Sequence, residues 1–395
     1  MSTHKRVVGV IFGSRSVEHD VSIVTAQQTI RAFDTSKYEV VPIYITRNGQ
    51  WLTGEGLLDI KNFQMDVSDI ATVSETHLSP STGYTGLITP PMSGRFRKSK
   101  FQRLDVAFST IHGTHGEDGT IQGLFEMADI PYIGTGVLAS AVANNKVVCK
   151  ALLKQHGIPV LDGVAFSRRE WLDKPEEIIE RIEELGFPAF VKPATLGSSV
   201  GVARVDDVER ARLHIDIVAN FSRQVLVERA IVGGMEINCA VMGHYELEAS
   251  VLEQPLSGEE FLTYDEKYMR GGGGKSAGMK GADRIIPAPI SPELTAKIQE
   301  TTKRAFAAID GSGIARIDYL AMPDTGEYWL NEINTMPGSL SFYLWQESGK
   351  SAAAVVDELI EIAMAVHAEK RQTTFDHRTK LIEHAAARGT SGVKK

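Results

Sequence analysis

Residues 314–338 read IARIDYLAMPDTGEYWLNEINTMPG, two apolar-rich segments with a Pro-Asp-Thr-Gly sequence between them. Those four residues favour a tight turn and the flanking segments favour strands, so the stretch predicts a β-hairpin. Successive side chains of a strand point to opposite faces. Polar and apolar residues alternate along both strands. If the turn is centred on Thr325, the polar side chains of the two strands therefore lie on the same face of the hairpin.

The polar face of this hairpin combines two carboxylates, an amide and a guanidinium. Asp318 is predicted to lie opposite Glu332, and Arg316 opposite Asn334. Carboxylate and amide oxygens are ligands that magnesium takes together with phosphate oxygens. An arginine beside them suits an anion, or negative charge that develops during a reaction. A solvated strand face with a surface ion pair is the alternative, which the regular alternation with large apolar residues disfavours.

Length and composition indicate a globular protein of two or three domains. The chain has 395 residues and a formal net charge of −8, which gives no reason to expect a nucleic-acid partner. No apolar run approaches the roughly 20 residues that span a membrane, and the N-terminus leads into a short strand rather than a signal peptide. The two cysteines, Cys149 and Cys239, are expected to be free thiols in a reducing cytoplasm.

The N-terminal part predicts a doubly wound α/β domain. Residues 7–13 (VVGVIFG) read as a buried strand, and apolar positions at helical spacing follow a Gly-Ser turn. Residues 38–46 and 105–112 read as strands, and residues 53–100 as an irregular excursion. Such sheets bind ligands at the carboxyl ends of their strands. Glu18 stands at the first such end, where it would receive an ammonium group or only face the dipole of the next helix.

Two further loops favour ligand binding. Residues 113–119 (GTHGEDG) bring a histidine and acids after a strand, although glycine loops are often plain turns. Lys192 closes a strand and precedes the Gly/Ser loop 193–201, whose N–H groups and hydroxyls suit a phosphate. The loop lacks a Walker ending and leads to a strand, so an ordinary hairpin loop is the alternative. Residues 137–157, with Lys146, predict one continuous helix.

A mobile lid is predicted before the hairpin. Residues 271–282 read GGGGKSAGMKGA, which is too glycine-rich to fold rigidly. A lid that carries Lys267 to a phosphate would exclude water from a reactive intermediate. A surface loop without a role is the alternative.

In this order, the features resemble the ATP-grasp ligases and, among them, the D-alanine–D-alanine ligase family. The resemblance covers roughly residues 7–368 and rests on HGTHGEDGTIQGLFE, PYIGTGVLAS, VKPATLGSSVG, YDEKY, ARID and NEINTMPG. It implies an N-terminal doubly wound α/β domain over 1–137, a two-lobed ATP-grasp module over 138–240 and 241–368, and a polar tail over 369–395. It further implies a cytoplasmic homodimer that joins two D-alanines through an acyl phosphate for peptidoglycan precursor synthesis.

The resemblance assigns ATP and metal contacts to residues of this chain. The ATP-binding set is Lys146, Lys192, Ser199, Glu228, Ala230, Ile231, Glu236 and Lys267. Two magnesium or manganese ions are assigned to Asp318, Glu332 and Asn334. Within the ATP set the lysines hold phosphates, residues 228–231 clamp adenine and Glu236 binds the ribose. The spacing from Glu228 to Glu236 is one residue longer than is usual in the family.

The resemblance also assigns catalytic and substrate-binding residues. The catalytic set is Glu18, Ser198, Arg316, Lys267, Tyr268 and Gly338. Glu18 would take the ammonium of the first D-alanine with help from Ser198 and Tyr268, and Arg316 and the Gly338 N–H would stabilise an oxyanion. The substrate-binding set is His112, Ser339, Ser341 and Tyr343.

The second substrate stays open at this point. Tyr343 stands where the family commonly has a serine that binds the second carboxylate; a phenol can donate the same hydrogen bond but is bulkier, and Ser339 and Ser341 are substitutes. Tyr268 resembles the dipeptide-forming class. The alternatives are a D-Ala–D-Ser or other D-Ala–X ligase, an ATP-grasp carboxylate–amine ligase with different substrates, and a catalytically silent binding protein.

Overall fold

The computed structural model describes residues 5–90, 98–197, 201–256, 284–375, 377 and 379–388. The predicted lid, with Lys267 and Tyr268, lies outside the described residues, as do Ser198 and Ser199. The described part combines helices with four β-sheets, which confirms the α/β class. No helix in these described ranges is long and apolar enough to cross a membrane.

The N-terminal part holds eight strands and two helices in its described residues. The strands are β1 (Arg6–Gly13), β2 (Tyr38–Ile45), β3 (Trp51–Thr53), β4 (Ser74–Glu75), β5 (His77–Leu78), β6 (Gly86–Thr89), β7 (Lys100–Arg103) and β8 (Val106–Ser109). The helices are α1 (His19–Ala32) and α2 (Thr120–Ala128). The larger sheet has the order β4-β3-β2-β1-β8.

The order in which strands are added to the sheet reverses at β1, which places a crevice there. Strand β1 pairs in parallel with β2 on one side and with β8 on the other. In sheets of this kind ligands bind at such a switch point, outside the carboxyl ends of the strands. Glu18 follows β1 and His112 follows β8, so both residues stand at this crevice.

The prediction of an irregular excursion over residues 53–100 is wrong in part. Strands β3 and β4 extend the main sheet, and β5, β6 and β7 form a separate antiparallel sheet. Short 3-10 helices cover residues 55–58, 60–64 and 67–69. Strands of two to four residues are too short to show an alternating pattern, so the sequence offered little to detect.

The central part is an antiparallel sheet covered by helices. Its elements are α3 (Val137–Asn144), α4 (Lys146–Gln155), β9 (Gly163–Ser167), α5 (Arg168–Asp173), α6 (Pro175–Leu185), β10 (Ala189–Pro193), β11 (Ala203–Val205), α7 (Val208–Phe221) and β12 (Gln224–Arg229). The strand order is β11-β10-β12-β9. Helices α5, α6 and α7 bury their apolar sides against these strands in one core.

The single helix predicted over residues 137–157 is two helices. Asn145 has extended backbone angles, φ −96° and ψ 100°, and breaks the run. Its side chain accepts from the N–H groups of Val147 and Val148 and so caps α4. Lys146 is therefore the first residue of a new helix rather than a residue within a long one.

The C-terminal part carries the predicted hairpin. Its elements are β13 (Met235–Gly243), β14 (Leu247–Pro255), β15 (Arg284–Ile285), α8 (Pro292–Ala308), β16 (Gly313–Met322), β17 (Glu327–Asn334), a 3-10 helix (Gly338–Ser341), α9 (Phe342–Glu347), α10 (Ala352–Lys370) and α11 (Leu381–Arg388). The strand order is β15-β14-β13-β16-β17. The domain boundary expected at 240/241 falls inside β13, which pairs with β14 and β16.

The hairpin register is confirmed. Arg316 pairs with Asn334, and Asp318 pairs with Glu332. Below the sheet, Ile317 and Tyr319 of β16 pack against α8 in a fully buried core. Because side chains alternate along a strand, Arg316 and Asp318 point to the opposite face.

One apolar core joins the two ends of the chain. Val8, Val10 and Phe12 of β1 belong to the same buried cluster as Leu359 and Ile360 of α10. Helix α10 therefore covers one face of the N-terminal sheet, and residues far apart in the sequence contribute to holding the crevice at β1.

We expect Leu359→Ala to lower the free energy of unfolding by about 2–5 kcal/mol, because it opens a cavity in this shared core. Leu359 is fully buried, whereas Leu381 of α11 is 68% exposed. Leu381→Ala is the matched control and should change stability by less than about 0.5 kcal/mol. Chemical denaturation measures both; equal effects would contradict the shared core.

Candidate active site

The polar face of the hairpin is a compact hydrogen-bonded group. Arg316 donates from Nε and Nη2 to the two carboxylate oxygens of Asp318, each at 2.7 Å. Asn334 donates from Nδ2 to Oδ2 of Asp318 at 2.9 Å. Asp318 is 1% exposed. Burial disfavours the charge on Arg316, but Asp318 outweighs this effect and holds the pKa of the guanidinium well above its ordinary value.

The second carboxylate of the hairpin also faces a cation. The Nζ of Lys146, at the start of α4, lies 3.3 Å from Oε2 of Glu332 and donates to the Leu196 carbonyl at 2.8 Å. Lys146 thus connects the central part to both the hairpin and the end of the Gly/Ser loop. Each hairpin carboxylate is therefore placed where it already stabilises positive charge.

The donor set fits a magnesium ion that also binds phosphate. Asp318, Glu332 and Asn334 offer two carboxylates and an amide oxygen, which are hard oxygen ligands. In the described residues no three side chains of the His, Cys, Asp and Glu types converge as a metal site. A divalent ion held here would therefore complete its coordination with ligand oxygens and water, as magnesium does in phosphate-transferring sites.

A β-bulge brings one residue to the site that strict alternation would turn away. Strand β17 has an extra residue, Asn331, because Tyr319 pairs with Leu330 while Asp318 pairs with Glu332. Bulges re-aim side chains locally. The Oδ1 of Asn331 accepts from Nζ of Lys192 at 3.0 Å, so this contact connects the central sheet to the hairpin.

The buried carboxylate of Glu228 holds two lysines. Lys192 donates to Oε2 at 2.7 Å, and Lys150 of α4 donates to Oε1. Burial alone would raise the pKa of Glu228, but the two ammonium groups lower it to about 2. Sequence reasoning missed Lys150, although its position four residues after Lys146 places both on one helix face.

The other residues assigned to the adenosine lie around the end of β12. Ala230 donates its N–H to the Pro188 carbonyl at 2.9 Å, so this donor is used within the protein. Ile231 and Glu236 are both half-buried, and Glu236 lies at the start of β13. Ala230 and Ile231 therefore lie just beyond β12, two and three residues after Glu228.

Glu18 is enclosed by two glycine loops. It is 6% exposed. A Cβ at Gly113 would lie only 2.3 Å from Oε2 of Glu18, and a Cβ at Gly197 would lie 3.5 Å from it. Gly113 also has φ +67°, so any other residue there would be both strained and too close. The loops after β8 and β10 thus close on this carboxylate.

A second carboxylate in this pocket, Glu117, was not singled out from the sequence. It accepts from the N–H of Gly113 at 2.7 Å and from the N–H of Met336 at 2.9 Å. Burial, and then the charge of Glu18, raise its pKa to about 8. Glu117 therefore connects the N-terminal loop to the segment after β17. Its place in GTHGEDG was the available signal.

His112 is a neutral residue between two segments. Its Nε2 lies 2.9 Å from Oγ1 of Thr25 in α1, and its side chain hydrogen bonds to the backbone of Met336. Burial lowers its pKa to about 4, so the ring is uncharged near neutral pH. The Ser339 N–H also donates to Oγ1 of Thr25, at 3.3 Å. His112 and Ser339 therefore both contact the hydroxyl of Thr25.

The segment after Gly338 takes an unusual backbone path. Ser339, Leu340 and Ser341 have φ angles of 51°, 48° and 49°, in the left-handed region. Ser341 is fully buried, and its hydroxyl has no hydrogen-bond partner among the described residues. Gly338 begins the 3-10 helix two residues after Met336, whose N–H donates to Glu117.

Tyr343 has a partner within the protein. Its hydroxyl donates to Oε1 of Glu253 in β14, and the guanidinium of Arg284 lies 4.0 Å above its ring. Arg284 and Asn238 also donate to Glu253, at 3.0 and 3.1 Å. Burial raises the pKa of Tyr343, so it keeps its proton. The predicted hydrogen bond from Tyr343 to a substrate carboxylate thus has to compete with Glu253.

Glu117→Gln should flatten the pH dependence of stability. With a folded-state pKa of about 8 against an ordinary 4.5, the native Glu117 keeps a proton that the unfolded chain releases. The contribution of Glu117 to the free energy of unfolding is therefore complete below pH 4.5. It is lost as the pH rises towards 8, by up to about 1.4 kcal/mol per pH unit. Denaturation at pH 5.5, 6.5 and 7.5 measures this; parallel curves for both proteins would refute the raised pKa.

Comparison with known proteins is consistent with this geometry. The family models described as "D-ala D-ala ligase N-terminus" and "D-ala D-ala ligase C-terminus" match residues 7–135 and 152–361. The D-alanine–D-alanine ligase of Bacillus cytotoxicus is 38% identical over 374 residues, which cover 93% of this chain and 98% of that protein. That of Thermosipho melanesiensis is 39% identical over 370 residues, covering 93% and 96%.

Solved structures agree with the sequence relatives. The VanG D-Ala:D-Ser ligase from Enterococcus faecalis aligns with a TM-score of 0.78 at 30% identity and covers 91% of this chain and 100% of its own. The D-alanine–D-alanine ligase from Coxiella burnetii aligns with a TM-score of 0.76 at 27% identity and covers 98% and 99%. These structures have the ATP-grasp fold expected from the sequence. The chain therefore belongs to the D-alanine–D-alanine ligase family.

Proposed function

We propose that this chain joins two D-alanine molecules into D-alanyl-D-alanine and converts ATP to ADP and phosphate. Membership of the family supports the reaction. The observation that carries the site assignment is the paired register of Arg316 with Asn334 and of Asp318 with Glu332, with Lys146 against Glu332. This arrangement provides metal ligands, a phosphate-binding cation and an oxyanion partner within one cleft.

Asp318, Glu332 and Asn334 would hold two magnesium or manganese ions. Such ions neutralise the phosphate charge during phosphoryl transfer. Arg316 donates to Asp318, and Lys146 lies against Glu332. Binding of the metal and ATP would release both side chains to face the phosphates and the reacting carbonyl.

The first step is phosphorylation of the carboxylate of the first D-alanine. Glu18, which the loops at Gly113 and Gly197 approach closely, receives its ammonium group. Lys146 and Lys192 orient the ATP phosphates. Phosphoryl transfer depends mainly on positioning and charge neutralisation, which explains why no protein nucleophile is needed.

The second step is attack of the second amine on the acyl phosphate. Arg316 and the N–H of Gly338 would stabilise the oxyanion of the tetrahedral intermediate, after which phosphate leaves. Neutral His112 has one N–H, which the Met336 backbone engages, so it would line the substrate site without adding a charge. Ser198, Ser199, Lys267 and Tyr268 remain proposals that rest on the family resemblance.

A D-Ala–D-Ser or other D-Ala–X product is the second candidate. One observation favours keeping it: the hydroxyl of Tyr343, where the family commonly has a serine, donates to Glu253. Ser339 and Ser341 are the proposed replacements. We also propose a cytoplasmic homodimer with no nucleic-acid or membrane partner, which light scattering and fractionation of the source cells would test.

The reaction is tested by phosphate release with ATP and magnesium, with D-alanine, D-serine, D-lactate and L-alanine as substrates. We expect release with D-alanine alone and a product with the mass of D-alanyl-D-alanine. Release only in mixtures of D-alanine with a second acid would favour the D-Ala–X alternative. No release with any D-amino acid would refute the proposal.

Glu332→Gln should lower kcat by at least about 100-fold, more than is typical of residues that only support a metal ligand. The reason is the loss of a charged metal ligand, and the folded state should persist. Glu327→Gln, on an exposed position of the same strand, is the control and should turn over normally. A Glu332→Gln enzyme with full activity at saturating magnesium would exclude the assignment.

A further inference from the structure

Lys150 is a buried cation that neither the sequence pattern nor the family resemblance assigns to ATP. It lies on α4 one turn after Lys146, and its side chain is only 8% exposed. Its ammonium donates to Oε1 of Glu228, whose side chain is 1% exposed. A lysine is rarely buried to this extent unless it is paired with an acid, and its partner here is Glu228.

Glu228 does not belong to Lys150 alone. Its other oxygen accepts from Lys192, which also donates to Asn331 of the hairpin. The charged groups that act on Lys150 are Glu228, Lys192 and Lys146. Glu228 is thus one negative charge between two buried positive ones, and the group carries an excess positive charge inside the cleft.

Lys150 occupies one oxygen of Glu228 and Lys192 the other. This arrangement controls where the Lys192 ammonium points. An ammonium group has three donors. One goes to Glu228 and one to Asn331, and the third is directed by these two contacts. If Oε1 of Glu228 lost Lys150, the low dielectric around it would favour a second hydrogen bond from Lys192, at the expense of its other contacts.

We propose that Lys150 is a positioning residue for ATP: it occupies Oε1 of Glu228 so that Lys192 stays between the central sheet and the hairpin, available to phosphate. The inference rests on the proposed function and adds a residue to its ATP site. Lys150 also supplies the excess positive charge that a polyanion would balance. It acts through Glu228 and need not touch the nucleotide.

The test is Lys150→Met in the full-length chain, with ATP binding measured by calorimetry and steady-state rates measured separately for ATP and D-alanine. We expect Kd and KM for ATP to rise about ten-fold or more, the size of one lost charge-assisted hydrogen bond. KM for D-alanine at saturating ATP should stay within about two-fold. Affinity for ATP should also depend less on salt.

Lys154→Met is the matched control. Lys154 lies one turn further along the same helix, is 69% exposed and pairs with the exposed Asp162. It should bind ATP like the unaltered protein. Lys150→Arg keeps the charge and should recover most of the affinity, which a purely steric or folding defect would not predict.

A double variant separates positioning from general destabilisation. If Lys150 acts through Glu228, Lys150→Met should weaken ATP binding far less in a Glu228→Gln background than in the unaltered chain. Equal losses in both backgrounds, or unchanged ATP affinity in folded Lys150→Met, would overturn the inference. Failure of the unaltered chain to bind ATP would instead overturn the proposed function.

Discussion

A buried carboxylate that must always be neutralised organises this protein. Asp318 lies almost completely out of solvent, and Arg316 and Asn334 both donate to it. An uncompensated charge at this depth would cost several kcal/mol. The hairpin therefore has to keep its register, because a slip of one residue would turn Asn334 of β17 to the other face of the sheet.

The same requirement explains why residues from distant parts of the chain meet. Lys146 from α4 faces Glu332, Lys192 from β10 reaches Asn331, and Glu117 from the N-terminal loop holds the backbone at Met336. Each contact matches a polar or charged group with a partner from another part of the fold. The cleft is thus held by interactions between separate parts of the fold, and each of its charged groups already has a partner.

The features that the sequence predicted are local, and those it missed are interruptions of a local pattern or contacts between distant residues. The pairing of Asp318 with Glu332 follows from a turn and from strand alternation within 25 residues, so the order of the amino acids is enough to derive it. The bulge at Asn331 breaks that alternation, and Asn145 interrupts an otherwise helical pattern by capping the next helix. Lys150 and Glu253 gain their roles from partners 78 and 90 residues away, and sequence periodicity carries no information over that distance.

The core shared by β1 and α10 has a consequence for how the chain is made. Leu359 and Ile360, which cover Val8, Val10 and Phe12, are synthesised more than 300 residues after them. At about 5–20 residues per second, the first strand stays without its cover for tens of seconds. This face of the N-terminal sheet therefore cannot be covered until α10 has been synthesised, and during that interval the growing chain presents an apolar surface suited to chaperones.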